Sequence, residues 1–315
     1  MSTTFRNDLS SILADGLKAT FLEAFNVRPN FQWDKIATLV PSSPGRQSES
    51  FAFLSELAFP KEWLDERDIK RMSEYAYSIP IKKYESTIKV AREDIDADRL
   101  GAVALKVRDM ARKANVFIEN QVFRTLSNGF TANGFDGTTF FSTAHPRKGG
   151  LSNQSNRGTA ALSAASLDTA RDTMLSWTDD QGEPLGVVGD TLVVSPSLAS
   201  AARKLVGSPV VVVNVGDGTA GSGSTAATNY ININQGEFDL IISPHLTSAN
   251  SWFMVDSSQV LKPVLYVEAD PIEFSSLDSP DNNESAFLRD AYLYGTRQRF
   301  GVGYGPWWTA YGNIV

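Results

Sequence analysis

The sequence predicts an α+β protein, and three features of its 315 residues carry that expectation. A long amphipathic stripe runs from Leu100 to Val122. Val-rich strands alternate with short helices between residues 161 and 257. From residue 258 onward the chain holds long aromatic strands and few helix signals.

Taken in order, Leu9, Ile12, Leu13, Leu17, Phe21 and Phe25 fall on one helical stripe, which lapses at Val27-Arg28-Pro29-Asn30. Residues 41–50, PSSPGRQSES, form a turn-rich polar loop. From Phe51 to Val90 aromatic, charged and strand-like pieces mix. In the last of these, Tyr84, Ser86, Ile88 and Val90 alternate with Lys83, Glu85, Thr87 and Lys89, the two-residue period of a strand with one wet face. Asp94, Asp96 and Asp98 supply an N-cap and an acidic first turn for the next helix. Leu100, Val103, Val107, Met110, Ala114, Ile118 and Val122 then keep helical spacing. Arg124 lies in the last turn, and Asn128-Gly129 predicts a left-handed stop. Roughly 30 residues at 1.5 Å each make a rod about 45 Å long, either a bundle member or a spine across a flat molecule.

Beyond Gly150, Ser166 is the expected cap of a helix through Trp177, and Thr191 to Val194 reads as a buried strand. Ser195-Pro196 opens a helix that Gly207 closes. Strands are expected at Val210 to Val215, Phe238 to Ile242, Trp252 to Val255 and Phe287 to Phe300.

Hydrophobic residues make up 42% and charged residues 21%, which suits a globular, soluble chain. The absence of cysteine excludes disulfides, thiolate metal sites and cysteine nucleophiles. The opening MSTTFRNDLS lacks a basic segment followed by an apolar run, and no stretch reaches the ~18 apolar residues of a spanning helix. Synthesis in the cytoplasm, without export or a membrane, is the expectation. Acidic residues number 36 against 29 basic ones, for a formal charge of −7. Holding nucleic acid by its phosphates needs a basic face, and none is visible. A wall that repels phosphate instead suits a container.

The motifs that could carry chemistry are weak. Gly216-Asp217-Gly218-Thr219-Ala220-Gly221 follows a strand as a dinucleotide fingerprint does, but SGSTAATNY comes next, with no apolar stripe for the required helix. It reads as a loop. Asp94, Asp96 and Asp98 open like a calcium loop, yet Arg99 and Leu105 stand where glycine and glutamate are needed. Asp278, Asp281 and Glu284 surround Pro280 and read as a solvated turn or a weak cation site. The two histidines, His145 and His245, lie beside prolines with no second ligand near them in sequence. No nucleophile elbow, Walker loop or zinc-protease helix occurs. No catalytic, cofactor-binding or metal-binding residue is therefore assigned. The segment Lys61 to Arg67 places Trp63 among both signs of charge, either as an interface anchor or packed beneath its own loop.

Several of these residues together resemble the major head subunits of Mu-like phages. The matching elements are Trp33 before Ile36-Ala37, Pro41-Ser42-Ser43 with a following glycine, and Glu62-Trp63 ending in Arg67. They continue with Lys83-Tyr84-Glu85, Val90, Arg92, Asp94, Asp96, Asp98 and Gly101. Most specific is Phe135-Asp136-Gly137-Thr138-Thr139-Phe140-Phe141-Ser142-Thr143-Ala144-His145-Pro146, which is similar to the family's Asp-Gly-x-x-Phe-Phe-x-x-x-His-Pro signature. Ser142 and Ala144 stand where acids are common in that family, which argues against a metal or salt-bridge role for this turn.

The resemblance implies a tailed-phage capsid fold of the Hong Kong 97 type. Residues 1–34 would be an N-terminal arm, 35–95 an extended β-hairpin loop and 96–160 a peripheral domain with a spine helix at 96–128. Residues 161–257 would form an α/β axial domain, and 258–315 the return strands of the peripheral domain. It also implies a structural major capsid protein, not an enzyme, without cofactor. Such a protein self-assembles into hexameric and pentameric capsomers around double-stranded DNA held without sequence-specific binding, with portal and scaffold proteins as partners. The expected location is the virion, after assembly in the host cytoplasm. Glu62, Trp63, Arg67, Tyr84 and Glu85 are the expected assembly-interface residues. The alternatives are an encapsulin-like bacterial compartment shell and a nucleotide-binding α/β enzyme.

Overall fold

The computed structural model describes residues 3–27, 31–54, 74–91, 93, 100–147, 150–180, 182–215, 226–232, 234–277 and 291–315. In chain order the elements begin with helices α1 (Thr3–Asn26) and α2 (Trp33–Ile36). Strands β1 (Ala37–Pro41), β2 (Ser48–Leu54), β3 (Glu74–Pro80) and β4 (Lys82–Ala91) follow, then the long helix α3 (Leu100–Asn128). Next come β5 (Arg157–Gly158), α4 (Ala164–Leu175), β6 (Thr191–Val194) and α5 (Ala199–Gly207). The remaining strands are β7 (Val210–Val215), β8 (Ala226–Ile231), β9 (Asp239–Ile242), β10 (Trp252–Val255), β11 (Val264–Leu277), β12 (Ala291–Tyr304) and β13 (Ala310–Asn313).

Two larger sheets organise these pieces. The first has the order β1-β11-β12-β4 and the second β5-β13-β10-β6-β9, while β2 with β3 and β7 with β8 form separate two-stranded sheets. In the first sheet β12 pairs antiparallel with β11 from Val264↔Tyr304 to Leu277↔Leu293, and with β4 from Ala291↔Ala91 to Phe300↔Lys82. The expected strand Phe287 to Phe300 is present from Ala291 onward, its first four residues lying outside the described ones, and it runs on to Tyr304. In the second sheet every residue of β6 (TLVV) and β10 (WFMV) is buried, as expected of central strands covered on both faces. The C-terminal strands divide between the sheets: β11 and β12 lie in the first, β13 in the second.

The helix α3 joins the layers because its apolar stripe meets two clusters in succession. Val103, Val107, Met110 and Ala111 pack with Leu17 and Phe21 of α1 and with Phe274, Tyr292 and Tyr294 of the sheet. About two turns further on, Ile118, Val122, Phe123 and Leu126 enter the main core with Phe140, Phe141, Tyr266 and Phe300. Asn115, buried between the two clusters, donates from Nδ2 to the Phe25 carbonyl (2.7 Å) and fixes the end of α1 against α3.

Two expected helix ends differ in cause. The cap of α4 is Ser163: its hydroxyl accepts from the Ser166 amide (3.2 Å), and Ser166 Oγ accepts in return from the Ser163 amide (2.9 Å). Ser166 thus closes a capping box from the third helical position. Gly129, after α3, is not among the glycines with positive φ. A Cβ there would lie 2.8 Å from Phe141 Cδ2 and 3.0 Å from Phe140 Cδ1, so the position needs glycine for space. The acidic turn Asp94, Asp96, Asp98 lies outside the described residues. The measurement that separates space from conformation is urea unfolding. Gly129→Ala should cost about 1–3 kcal/mol by overpacking, and Gly129→Asn more, whereas a left-handed cap would tolerate asparagine well.

Candidate functional site

Two features of the described residues bear on function: the β2–β3 hairpin, which like β7–β8 stands outside the two larger sheets, and a buried polar knot built from the Asp-Gly-x-x-Phe-Phe motif. The hairpin is β2 with β3, in register from Ser48↔Pro80 to Leu54↔Glu74. Its base is tied by several independent contacts. The Pro41-Ser42-Ser43 turn reverses through Gly45 at φ 85°, which brings Ser42 and Arg46 onto Glu49 (2.5 Å from Ser42 Oγ to Oε2, 2.8 Å from Arg46 Nη1 to Oε1). The Ile81 amide donates to the Gln47 carbonyl (2.8 Å), and Arg299 from β12 donates to the Arg46 carbonyl (2.5 Å). Ile79 and Ile81 then pack with Leu265, Val267 and Ala269 of β11.

The knot lies where the loop after α3 meets the C-terminal segment. Gly137, at φ 80°, turns the chain so that Asp136 faces back toward His145, and both side chains are sealed from solvent (5% and 0% exposed). His145 Nδ1 lies 2.6 Å from Asp136 Oδ2 and Nε2 lies 2.9 Å from Asn156 Oδ1. Asn156 donates from Nδ2 to the carbonyls of Phe140, Trp307 and Ala310, so its Oδ1 is the acceptor facing the ring. Both ring nitrogens therefore face polar partners, the carboxylate of Asp136 on one side and the Asn156 amide oxygen on the other. The face of the ring stacks on Trp307 at 4.2 Å and 3°. This corrects the expectation drawn from Ser142 and Ala144. The turn does hold a salt bridge, with the acid supplied by Asp136 inside the motif.

Burial pushes the Asp136 carboxyl up, but the hydrogen bond and charge of His145, with the Thr138 hydroxyl and amide, outweigh it and leave the pKa lowered. The arrangement has no open face for a substrate: the hydrogen bonds of Asn156 fasten three chain segments together, and the motif acts as a clasp.

Glu62, Trp63 and Arg67 lie outside the described residues, as do Asp278, Asp281 and Glu284. Tyr84 turns inward, its ring 4.9 Å from Phe117 of α3 and 4.6 Å from Phe300 of β12. Glu85 is exposed and accepts from Thr87 Oγ1 (2.9 Å). Both border a cleft of about 370 Å³ between β4 and α3. The segment Gly216 to Gly221 is also outside the described residues, but the strand that follows it, β8, runs antiparallel to β7 from Val210↔Ile231 to Val215↔Ala226. That is a hairpin, where a dinucleotide site needs a helix.

His245 sits in a groove of about 620 Å³ between α1, α3 and the end of β9, together with Arg108, Arg112 and Glu119. Burial lowers the His245 pKa; burial also raises that of Glu119, against the Gln32 amide and assisted by Asp34. Each is engaged in holding the fold: Asn120 Nδ2 donates to His245 Nδ1 (3.2 Å), and Glu119 Oε1 accepts from the Gln32 amide (3.4 Å). Among the described residues no group of three or more metal-ligating side chains occurs, and no helix is long and apolar enough to cross a membrane.

The clasp predicts an acid sensitivity with a definite sign. A carboxyl held below its unfolded value stabilises the fold at all pH above that value, and the contribution fades as pH falls through the folded pKa. Asp136→Ala should cost about 1–3 kcal/mol at pH 7 by leaving the buried His145 Nδ1 without its partner. The gap to wild type should narrow below about pH 4. Denaturant titrations at pH 7 and pH 3 check both statements, with Asp136→Asn, which keeps an acceptor, losing less.

Comparison with known proteins gives this architecture its place. A family model described as the Mu-like prophage major head subunit gpT matches residues 10–160, 150–246 and 242–314. Over 305 residues the chain is 24% identical to the Mu-like prophage FluMu major head subunit of Haemophilus influenzae, covering 96% of this chain and 72% of that one. Over 115 residues, 36% of this chain and 37% of its relative, it is 36% identical to the major capsid protein of Escherichia phage Mu. Among solved structures, the procapsid of bacteriophage JBD30 superimposes with a TM-score of 0.61 at 23% identity, over 98% of this chain and 75% of that one. The shared fold is the phage-capsid fold of the Hong Kong 97 type, with mixed helices and sheets. By its family match along nearly its whole length, the chain belongs to the Mu-like major head subunits, the major capsid proteins of phage heads.

Proposed function

We propose that this subunit acts as a purely structural building block, closing in hexamers and pentamers into an icosahedral shell around double-stranded DNA, and that the β2–β3 hairpin is the grip by which one copy holds the next. The observation that carries the reading is the hairpin itself. Among the described strands β2 and β3 pair with nothing else, and the segment between them, residues 55–73, carries Phe59, Trp63 and Leu64 among charges of both signs. Such a mixture of large apolar anchors and a polar rim is what buried interfaces favour. Trp63 is the anchor, with Glu62 and Arg67 as its charged flanks, and Tyr84 and Glu85 of β4 complete the interface in this reading.

In this assignment residues 1–34 are the arm, 35–95 the extended loop, 96–160 the peripheral domain with its spine, 161–257 the axial domain and 258–315 the return strands. Many weak contacts repeated under closed symmetry act together, so each need contribute little. The net charge of −7 lets packaged DNA pass over the wall without sticking. Portal and scaffold proteins are the expected further partners, and assembly takes place in the host cytoplasm.

Replacing residues 55–73 by a short Gly-Ser linker leaves the hairpin base intact and tests the grip. The expected outcome is a subunit with the wild-type unfolding curve whose yield of closed particles in negative-stain electron microscopy falls on the order of a hundredfold or more. Normal shells from that variant would remove the hairpin from the assembly mechanism.

A further inference from the structure

The alternation of side chains along β12 leaves an unusual gap. Phe300, Val302 and Tyr304 join the core that holds α3, whereas the two residues between them, Gly301 and Gly303, face the opposite side of the sheet. A Cβ on Gly301 would lie 2.5 Å from the Pro80 carbonyl oxygen. A Cβ on Gly303 would lie 2.5 Å from both Cδ1 and Cγ1 of Ile79 and 3.2 Å from the Tyr77 hydroxyl. Both glycines therefore meet the last residues of β3, at the point where the hairpin leaves the body. The contact continues inward. Tyr77 Oη accepts from the Tyr304 amide (3.0 Å), and the Tyr304 hydroxyl donates to the Thr125 carbonyl of α3 (2.8 Å). The Tyr304 ring stacks on Phe140 at 4.7 Å and 19°, next to the clasp.

We infer that Gly301 and Gly303 are positioning residues for assembly: the bare face they leave on β12 seats the hairpin root and sets the direction in which the hairpin leaves the subunit, and the Tyr77–Tyr304–Thr125 chain ties that direction to the long helix. This rests on the reading of the hairpin as the grip between copies. The physical reason is leverage. A strand rises about 3.3 Å per residue, so a small tilt at Ile79 is multiplied along β3 into a displacement of the tip by several ångströms. Interface contacts do not tolerate that. The same two glycines could not be replaced by alanine without moving either the Pro80 backbone or the Ile79 side chain.

The chain has no cysteine, so spin labels on Ser50→Cys in β2 and Lys89→Cys in β4 report the hairpin direction by a distance distribution, independently of assembly. Into that background go Gly303→Ala, Gly303→Ala with Ile79→Ala, and Tyr77→Phe, each followed also by circular dichroism and by particle counts in electron microscopy. The expected result for Gly303→Ala is a folded subunit with a shifted distance distribution and at least a tenfold loss of closed shells. Trimming Ile79 in the double variant should bring both readouts back toward wild type. Tyr77→Phe, which adds no volume, should broaden the distribution and lower shell yield without unfolding.

The inference is overturned by an unmoved distribution in Gly303→Ala, by a shifted distribution with normal shells, or by unfolding that Ile79→Ala does not rescue and Tyr77→Phe does not share. The grip reading fails separately, by normal shells from the 55–73 replacement, a result that leaves the label distances unaffected.

Discussion

Side chains of β12 point alternately to the two faces of its sheet, and the long helix and the hairpin root lean on opposite faces. On one side Phe300, Val302 and Tyr304 meet the underside of α3; further along, Tyr292 and Tyr294 meet its first turns and α1. On the other side Gly301 and Gly303 admit the hairpin root, and Leu265 and Val267 of the neighbouring β11 pack against Ile79 and Ile81. A one-residue slip of β12 would exchange the two faces, putting aromatic rings under the hairpin and glycines under the helix. The pairing with β4 on one edge and β11 on the other, ten and more residues long in each case, opposes that slip.

The second constraint is the His145 clasp. A buried ion pair seldom adds net stability compared with apolar packing of the same volume, because both charges must leave water. What this one supplies is a fixed geometry. His145 holds the Asp136 turn, Asn156 and the Trp307 ring in one arrangement, and Asn156 in turn binds carbonyls on both sides of the chain crossing. The loop after α3 and the C-terminal segment are thereby held at a set distance, which lets β13 enter the second sheet while β12 stays in the first. The motif by which the family resemblance is most readily noticed is thus an internal fastening, with no exposed chemistry.

For a shell, this division of labour is physically sensible. In the function proposed above, a rigid body with two faces locked by helix and clasp would present its neighbours with a fixed template, while the hairpin would supply reach. In the same reading, closed symmetry would turn modest contacts into a cooperative assembly, and an acidic wall would keep enclosed nucleic acid mobile.

Much of this was legible in the residues. Periodicity located α1, α3 and β4, because a half-buried helix or strand must repeat its apolar positions at 3.6 or 2.0 residues whatever surrounds it, and short apolar runs located β6 and β10. The resemblance carried by Asp136 to Pro146 and by the residues around Trp33 gave the fold and the family. The sequence alone did not reveal the reasons for particular residues. Gly129 read as a conformational stop and is a space for Phe141; Ser166 read as a cap and is its reciprocal partner; Ser142 and Ala144 read against a salt bridge that Asp136 provides. Gly301 and Gly303 gave no signal at all, since what demands a missing side chain is Ile79 and Pro80, more than 200 positions away along the chain. Local periodicity is a property of one segment and its own backbone geometry, so a sequence determines it; close approach and buried charge pairing belong to two segments at once, so only the tertiary structure decides them.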